Sequence, residues 1–408
     1  MRADMPQEGY YDDGGLIMAK KKLEDIAING DGAVAYAWKQ IDPDVCAAYP
    51  ITPQTIIVED FSKFVANGEV KTEYVCVESE HSALTLCAAS CSAGARTFTA
   101  TASQGLAYMW EMLPITSSMR VPLVMAVANR AVSGPININN DHGDAMAARD
   151  TGWIQMFADN VQSAYDNAIM APKIAEHPDV QLPIITNLDG FILTHAVERM
   201  TPVDTEDVKK FVGEFEPICP LLDYKHPTSH GMLDGPDFYY AHKHQQVEAM
   251  DKALEVAEQV FKDFKKLTGR EYHLVDEYRC EDAEYVAIIL GSSYGTMQET
   301  VDQMRDAGIK VGAAMPHIYR PWPEKEIARL IKGKKAVAVF DKHVSLGAYG
   351  PLYPEVVAAA IDLEEVPKMY NFMYGIGGAD TSVSTLKGAM ESVVKGSADK
   401  INYVGMKL

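Results

Sequence analysis

The stretch Ala47-Ala-Tyr-Pro-Ile-Thr-Pro53 follows a short apolar run and precedes a segment whose apolar residues have helical spacing. Pro50 fixes its own φ and pushes Tyr49 into an extended conformation. Pro53 restricts Thr52 in the same way and suits the first position of a helix. The stretch therefore predicts a stiff strand-to-helix turn that holds the Thr52 hydroxyl beside a helix N-terminus. The same residues could equally form an ordinary turn without chemistry, so the surrounding sequence has to decide.

Strands and helices alternate through the first half of the chain, on both sides of this turn. The predicted strands are Asp44–Ile51, Glu73–Val77, Thr97–Ala102, Leu123–Ala128 and Leu182–Asn187, and the predicted helices lie near Gln54–Ala66 and His81–Ala93. Most of these strands are continuous apolar runs, which is typical of a parallel sheet covered by helices on both faces. The pattern predicts a doubly wound α/β domain, and such sheets bind ligands at the carboxyl ends of their strands.

Residues 201–243 interrupt this alternation with five prolines and with three histidines whose spacing matches no compact metal-ligand motif. We expect a long surface crossover there. A helical pattern returns at Gln245–Leu267, and a second α/β block follows it. The predicted strands of this block are Tyr285–Leu290, Lys310–Ala314, Ala336–Phe340 and Lys368–Phe372, and its helices start at Thr296, Pro323, Tyr353 and Thr381. The predicted division is a mobile arm at 1–24, a domain at 25–200, a linker at 201–243 and a domain at 244–408.

Two glycine-rich turns lie in the second block. Gly291-Ser-Ser-Tyr-Gly295 joins a predicted strand to a helix, where backbone N–H groups can bind an anion. It lacks the spacing of a P-loop or of a dinucleotide-binding fingerprint. We therefore predict a structural turn here and at Gly375-Ile-Gly-Gly378.

The composition is that of a soluble globular protein with two domains. The chain has 408 residues, of which 47% are hydrophobic and 23% charged. Its net charge of -20 argues against a nucleic-acid-binding face, and no apolar run approaches the roughly 20 residues that a membrane span needs. The acidic N-terminus lacks the basic and apolar regions of a secretory signal, and Met18 is an alternative start.

The cysteines predict that this chain carries no iron–sulfur cluster and no metal of its own. The six are Cys46, Cys76, Cys87, Cys91, Cys219 and Cys280. None forms a Cys-x-x-Cys pair, and no four are clustered as cluster ligands would be. Cys87 and Cys91 are one helical turn apart, but a buried apolar role explains them better.

Polar side chains follow four of the predicted strands of the first domain. They are Thr52, Glu78-Ser-Glu80, Ser103-Gln-Gly105 and Asn129-Arg130. Because these turns converge on one edge of the sheet, we expect a binding site there. In an extended segment Glu78 and Glu80 share a face, and Glu80 begins the following helix, where the helix dipole favours a carboxylate even without a function.

Taken together, these motifs resemble the alpha subunits of the 2-oxoacid:ferredoxin oxidoreductases, and among them those of the pyruvate:ferredoxin oxidoreductases (pyruvate synthases). The resemblance rests on Tyr49-Pro-Ile-Thr-Pro53, Thr99-Ala-Thr-Ala-Ser-Gln-Gly-Leu106, Asn129-Arg-Ala131, Asn140-Asp-His-Gly-Asp144, Ala148-Arg-Asp-Thr-Gly-Trp153 and Ile318-Tyr-Arg-Pro-Trp-Pro323. It implies a pyrimidine-binding domain of the thiamine diphosphate fold, followed by a transketolase C-terminal-like domain.

The resemblance also implies residues that bind the cofactor. Tyr49, Pro50 and Ile51 would lie against thiamine diphosphate. Glu80 would be the carboxylate that hydrogen-bonds the aminopyrimidine ring and so activates the cofactor, with Glu78 as the weaker candidate.

The substrate-binding residues follow from the same resemblance. Arg130 would bind the carboxylate of the 2-oxoacid, because a guanidinium can offer two parallel hydrogen bonds. Thr52 would add a neutral hydroxyl beside the same group. With Glu80, these two residues make up the predicted catalytic set. The motifs from Asn140 to Trp153 are expected to support the site without taking part in the chemistry.

The implied reaction converts pyruvate, coenzyme A and oxidised ferredoxin reversibly to acetyl-CoA, carbon dioxide and reduced ferredoxin. The resemblance places the GDG…N motif that binds magnesium and diphosphate on another subunit; the triplet Gly30-Asp-Gly32 occurs in this chain, but no asparagine follows it before Asn67. The resemblance therefore implies half of an active site, with Mg²⁺ and 4Fe-4S clusters on partner subunits of beta, gamma and delta type. It also implies a hetero-oligomer in the cytoplasm of an anaerobe.

Two alternatives stay open at this stage. The substrate could be another 2-oxoacid, such as 2-oxoisovalerate or oxalate, although the neutral Thr52 favours a monocarboxylate. The chain could instead be a non-catalytic scaffold subunit, against which the presence of Glu80, Thr52 and Arg130 argues.

Overall fold

The computed structural model describes residues 11–12, 15–16 and 23–406. The predicted arm at 1–24 and the alternative start at Met18 lie largely outside these residues. The first half contains, in chain order, β1 (Tyr11–Asp12), β2 (Gly15–Leu16), β3 (Ile26–Asn29), α1 (Gly30–Ile41), β4 (Val45–Ala48), α2 (Thr55–Ala66), β5 (Glu73–Cys76), α3 (Glu80–Ala93), β6 (Thr97–Thr101), α4 (Ser103–Tyr108), α5 (Met112–Ser118), β7 (Val124–Asn129), α6 (Gly143–Ala147), β8 (Ile154–Phe157), α7 (Val161–Ala175), β9 (Ile184–Asp189), β10 (Val197–Met200), α8 (Thr205–Val212) and α9 (Pro236–Thr268).

The second half repeats the alternation of strands and helices. It contains β11 (Val275–Tyr278), β12 (Tyr285–Ile289), α10 (Ser293–Asp306), β13 (Val311–Pro316), β14 (Ile318–Arg320), α11 (Glu324–Ile331), β15 (Ala336–Asp341), α12 (Leu352–Ala358), β16 (Lys368–Met373), a 3₁₀ turn (Ile376–Gly378), α13 (Val383–Lys395) and β17 (Ile401–Tyr403).

Each half is built on one large sheet. The first sheet has the strand order β14-β8-β9-β7-β6-β4-β5, and the second has the order β11-β13-β12-β15-β16-β17. All neighbours in these sheets are parallel except the edge strands β14 and β11. The central strands β6, β7 and β9 are buried along their whole length, as expected where helices cover both faces. The predicted α/β class is therefore confirmed, and apart from β4 the predicted strands agree with the structure within two residues at each end.

The turn after β4 differs from its prediction. The strand ends at Ala48 and not at Ile51, and the helix begins at Thr55, one residue after the predicted Gln54 and two after Pro53. Gln54 is the reason, because its backbone N–H donates to the Ile51 carbonyl at 2.9 Å and closes a tight turn. Its side-chain amide donates to one carbonyl of the turn at 2.9 Å and to one of β6 at 3.0 Å. The backbone of the turn therefore bonds to the Gln54 side chain, and the pairing of β4 with β5 ends at Ala48.

The predicted linker at 201–243 contains regular structure at both ends. Helix α8 lies near its start, and α9 begins at Pro236, nine residues before the predicted helix at Gln245. Proline suits the first turn of a helix, and this position was not recognised as a start. The buried side chains of α9 join the apolar core of the first sheet; they include Ala249, Ala253, Val260 and Phe264. The helix that the sequence assigned to the second block therefore packs on the first.

A second link joins the two halves. Strand β14 was not predicted. Its residues fall within the predicted second domain, but it pairs antiparallel with β8 at the edge of the first sheet. Just before it, the buried His317 bonds through Nε2 to Asn167 of α7 at 2.8 Å. The two halves therefore share a sheet edge and a buried polar contact.

Candidate active site

Four polar turns lie at the carboxyl ends of the neighbouring strands β7, β6, β4 and β5. The turn after β4 and the turn after β7 meet directly. Arg130 donates from Nη1 to the Thr52 carbonyl at 2.9 Å and from Nε to the Asn137 carbonyl at 3.3 Å. Arg130 is mostly buried, which lowers its pKa, while Thr52 is exposed. In the part of the chain that the structure describes, the Nη2 of Arg130 has no acceptor, so one edge of the guanidinium is available to an anion.

Glu80 is the first residue of α3 and is only 8% exposed. Its carboxylate makes no hydrogen bond to any residue that the structure describes. A Cβ added to Gly105 would lie 3.0 Å from Glu80 Oε1 and closer still to the Thr101 hydroxyl. That hydroxyl is also buried, and it lacks a partner among the described residues. The Glu80 carboxylate and the buried Thr101 hydroxyl thus both lie against Gly105, where a side chain would clash with them.

Glu78 has different surroundings. It is exposed, and it accepts a hydrogen bond from the Ser82 hydroxyl, which lowers its pKa. Ser79 caps α3 between the two carboxylates and turns Glu80 inward. The predicted common face of Glu78 and Glu80 is therefore wrong, because the helix starts between them.

The remaining residues of the predicted cofactor turn lie beside this edge. Tyr49 is half-buried and its carbonyl accepts from Gln54, Pro50 is exposed, and Ile51 is half-buried. The structure thus places Thr52 in contact with Arg130, and it places Glu80 on the neighbouring strand end.

Asp144 was given only a supporting place by the sequence, and the structure makes it the centre of this edge. Its two oxygens accept from the backbone N–H groups of Ser103 at 2.9 Å and Arg130 at 3.0 Å. They also accept from the Asn129 amide at 3.0 Å and from the Ala145 N–H at 2.7 Å. Burial raises the pKa of Asp144 to about 6, although these hydrogen bonds oppose the shift. Asp144 therefore fixes the backbone from which Arg130 projects. The motif Asn140-Asp-His-Gly-Asp144 was the sequence signal, but it could not show this role, because the donors from Ser103, Asn129 and Arg130 lie at the ends of other strands.

The carboxyl ends of the second sheet face the same region. Asp189, at the end of β9, receives a hydrogen bond from the Ser292 N–H at 3.2 Å and from its hydroxyl at 2.6 Å. The turn that begins at Gly291 therefore does bind an anion, but the anion belongs to the protein. The glycine turn at 375–378 is structural, as predicted, since it bonds to the loop after β7.

Comparison with known proteins decides the family. A model described as the thiamine-diphosphate-binding domain of pyruvate flavodoxin/ferredoxin oxidoreductases matches residues 36–262, and one for the core domain II of pyruvate:ferredoxin oxidoreductases matches residues 283–386. The chain belongs to this family of oxidoreductases. The resemblance carried by Tyr49–Pro53 and the later motifs is thereby confirmed.

Curated members of the family match the chain over nearly its whole length. The pyruvate synthase subunit PorA of Thermotoga maritima is 48% identical over 390 residues, which is 95% of this chain and all of that protein. PorA of Pyrococcus furiosus is 44% identical, covering 92% of this chain and 96% of its own length. The ketoisovalerate oxidoreductase subunit VorA of Pyrococcus abyssi is 38% identical, and the match covers 90% of this chain and 93% of that protein.

A solved structure supports the fold of this oxidoreductase subunit. The 2-oxoglutarate:ferredoxin oxidoreductase of Magnetococcus marinus, determined with 2-oxoglutarate, coenzyme A and succinyl-CoA bound, superposes with a TM-score of 0.72 at 17% identity. The match covers 90% of this chain and 65% of that one, so the chain spans about two thirds of its length.

The first sheet edge fits the cofactor that the family model names. Among the described residues the buried Thr101 hydroxyl has no hydrogen-bond partner, and the neighbouring Glu80 carboxylate accepts no hydrogen bond, so both groups are available to a ligand. Within residues 23–406, no group of three or more His, Cys, Asp or Glu side chains is arranged to hold a metal ion. Over the same residues, none of the helices combines the length and apolar character that crossing a membrane requires.

Proposed function

We propose that this chain is the alpha subunit of a pyruvate:ferredoxin oxidoreductase. The enzyme would convert pyruvate, coenzyme A and oxidised ferredoxin to acetyl-CoA, carbon dioxide and reduced ferredoxin, in a reversible reaction. One observation carries the proposal. Arg130 is a buried guanidinium with one edge free of acceptors, and Glu80, at the same ends of the strands, is a largely buried carboxylate without a hydrogen bond; both statements hold for the residues that the structure describes. The 48% identity to a pyruvate synthase subunit supports pyruvate as the substrate.

Glu80 is the residue that would hold thiamine diphosphate, together with the turn of Tyr49, Pro50 and Ile51. When bound, the cofactor supplies the electron sink for the decarboxylation of a 2-oxoacid. With the cofactor bound, the Glu80 carboxylate would accept a hydrogen bond from a ring N–H and so favour the protonated form of that ring nitrogen. Burial strengthens this bond, because the carboxylate has little water to compete with it.

Arg130 would bind the carboxylate of pyruvate through its free edge. Because the Thr52 and Asn137 carbonyls hold the other nitrogens, the guanidinium has one orientation before the substrate arrives. Thr52 adds one neutral hydroxyl at the same place. A second carboxylate, as in oxalate, would need another cation, and Lys342 of the facing edge is already paired with Asp189. The site therefore favours a monocarboxylate.

The alternative substrate within this class is 2-oxoisovalerate, which a VorA relative at 38% identity supports less strongly. The proposed assembly contains beta, gamma and delta subunits that hold Mg²⁺ and 4Fe-4S clusters, and it passes electrons to ferredoxin in the cytoplasm. A non-catalytic scaffold role gives no reason for a largely buried carboxylate at Glu80 that has no hydrogen bond to any described residue.

Steady-state kinetics of the assembled enzyme test the role of Arg130. In Arg130→Ala the KM for pyruvate should rise at least tenfold, because a hydrogen bond to a charged group contributes about 1.5–3 kcal/mol. The KM for coenzyme A should stay nearly unchanged. Arg130→Lys should recover only part of the loss, since a point charge cannot offer two parallel bonds. Thr52→Val should give a smaller defect of the same kind.

Arg120 is the matched control. It precedes β7, whereas Arg130 follows it, and it also donates to backbone carbonyls, those of Val180 at 2.6 Å and Gln181 at 3.0 Å. Arg120→Ala should lower the melting temperature and leave the KM for pyruvate unchanged. If the KM for pyruvate in Arg130→Ala equals that of the wild type, the proposed site is wrong.

A further inference from the structure

The loop at 130–142 begins with Arg130 and is held between the two sheets. Two loops of the second sheet bond to it. The Asn137 amide donates to the Gly377 carbonyl at 2.9 Å, and the Gly378 N–H donates to the Asn140 carbonyl at 2.9 Å. At its end, the His142 N–H donates to the Lys342 carbonyl at 2.9 Å. The second domain thus contacts the loop that presents the guanidinium.

A buried ion cluster fastens the end of this loop. Asp189 of the first sheet is fully buried, and its Oδ2 lies 2.7 Å from the Nζ of Lys342, which follows β15 of the second sheet. Its Oδ1 accepts from His142 Nε2 at 2.7 Å. Burial by itself would raise the pKa of Asp189, but the charges of Lys342 and His142 outweigh it and hold that pKa far below its usual value. One carboxylate therefore joins both domains and the loop.

The position of Arg130 depends on this attachment. Its Nε donates to the Asn137 carbonyl, and Asn137 is tied to the second domain through Gly377. The backbone of Arg130 is tied to Asp144, which lies two residues after the anchored His142. A change in where the second domain holds the loop is therefore passed to the guanidinium.

We propose that Lys342 is a positioning residue for the substrate site, which orients Arg130 by pairing with Asp189 across the domain interface. The inference rests on the proposed function of Arg130. Removing one partner of a buried ion pair leaves the other charge uncompensated, so the cluster has to rearrange. His142 and the loop would then lose their fixed place, and small displacements of a binding group reduce productive binding strongly.

The test measures pyruvate and coenzyme A kinetics of the assembled enzyme with Lys342→Met. The KM for pyruvate should rise about tenfold, the scale of one weakened hydrogen bond to a charged group, while the KM for coenzyme A stays unchanged. Adding Lys342→Met to Arg130→Ala should raise this KM no further, because Lys342 acts only through Arg130. Arg96→Met is the matched control. It breaks the buried pair of Arg96 with Glu176, at 2.7 Å, at the opposite edge of the first sheet, and it should lower stability without changing the KM for pyruvate.

Asn137→Ala covers the case in which Lys342→Met does not fold. It removes the amide that reaches Gly377 and leaves the ion cluster intact, and it should also raise the KM for pyruvate selectively. The positioning role is overturned if Lys342→Met folds and keeps the wild-type KM while Arg130→Ala raises it, or, where Lys342→Met does not fold, if Asn137→Ala keeps the wild-type KM. It is also overturned if the increases in the KM for pyruvate caused by Lys342→Met and by Arg130→Ala multiply in the double variant. An unchanged KM in Arg130→Ala would instead overturn the proposed substrate-binding role of Arg130, so the two failures are distinguishable.

Discussion

At the scale of single residues, Glu78 and Glu80 are two carboxylates that stand two positions apart and have different surroundings. Glu78 is exposed and bonded to Ser82, whereas Glu80 is buried and unpaired among the described residues. A buried polar group without a partner is costly, so it persists where a ligand supplies the partner. The geometry therefore separates two residues that the sequence could separate only by resemblance.

This difference gives a prediction for Glu80. In the assembled enzyme, Glu80→Gln should lower kcat on the order of a hundredfold, the scale of a lost acid–base group. The melting temperature should change little, because the amide has the same shape. Glu78→Gln is the control, and it should leave kcat unchanged. If Glu80→Gln keeps its kcat and loses stability, the carboxylate serves only to begin α3.

Some of the site could be predicted from local sequence and some could not. The prolines at 50 and 53 and the apolar strands are local signals, and they located the four polar turns at one sheet edge. The contact between Arg130 and the Thr52 carbonyl joins residues 78 positions apart. The place of Asp144 depends on donors up to 41 positions away. Such contacts follow from strand order, which a single sequence does not contain.

At the scale of elements, the failures have a common cause. The end of β4 was misplaced because the Gln54 side chain bonds to two backbone carbonyls, and β14 was not predicted because its partner β8 lies in the other half. The start of α9 was missed because its first turns are exposed and only its later residues are buried. Periodicity detects a segment that buries one face, and these segments are fixed by long-range partners.

The loops after β6 and β7 form a unit around Asp144, which predicts a pH effect. Ionised Asp144 accepts the N–H groups of Ser103 and Arg130, and protonation removes one acceptor. Because burial raises its pKa to about 6, the KM for pyruvate should increase as the pH falls from 7 to 5. Stability should change in the opposite sense to binding, and the free energy of unfolding should increase as the pH falls from 7 to 5. A carboxyl whose folded pKa is raised stabilises the fold at low pH, and this contribution, at most about 3 kcal/mol, is lost as the pH rises through about 6.

Asp144→Asn isolates this effect, because it has no proton to gain. Between pH 5 and 7 its KM for pyruvate and its free energy of unfolding should both vary less than those of the wild type. Chemical denaturation and initial-rate measurements over this range decide the matter. Parallel pH profiles for the variant and the wild type would assign the titration to another group.

At the scale of the whole molecule, the second domain contacts the loops at the carboxyl ends of the first sheet, where the candidate site lies. The α/β class and the two blocks could be predicted from the alternation of strands and helices. The packing of α9 on the first sheet and the buried pair of Asp189 with Lys342 could not, since both join residues far apart in sequence. The second domain is thereby attached to the loop of Arg130.

The cysteines of the chain predict that its activity depends on partner subunits. Cluster iron is bound by thiolates. Burial raises the pKa values of Cys87, Cys91 and Cys280 to about 12 each, which keeps these thiols protonated at neutral pH. The exposed Cys76 and Cys219 lie on a strand and in a distant loop. Purified alone without oxygen, the chain should show no iron–sulfur absorbance and no pyruvate-dependent dye reduction, even with thiamine diphosphate and Mg²⁺ added. Mixing it with its beta, gamma and delta subunits should restore both signals, and either signal from the chain alone would contradict the shared active site.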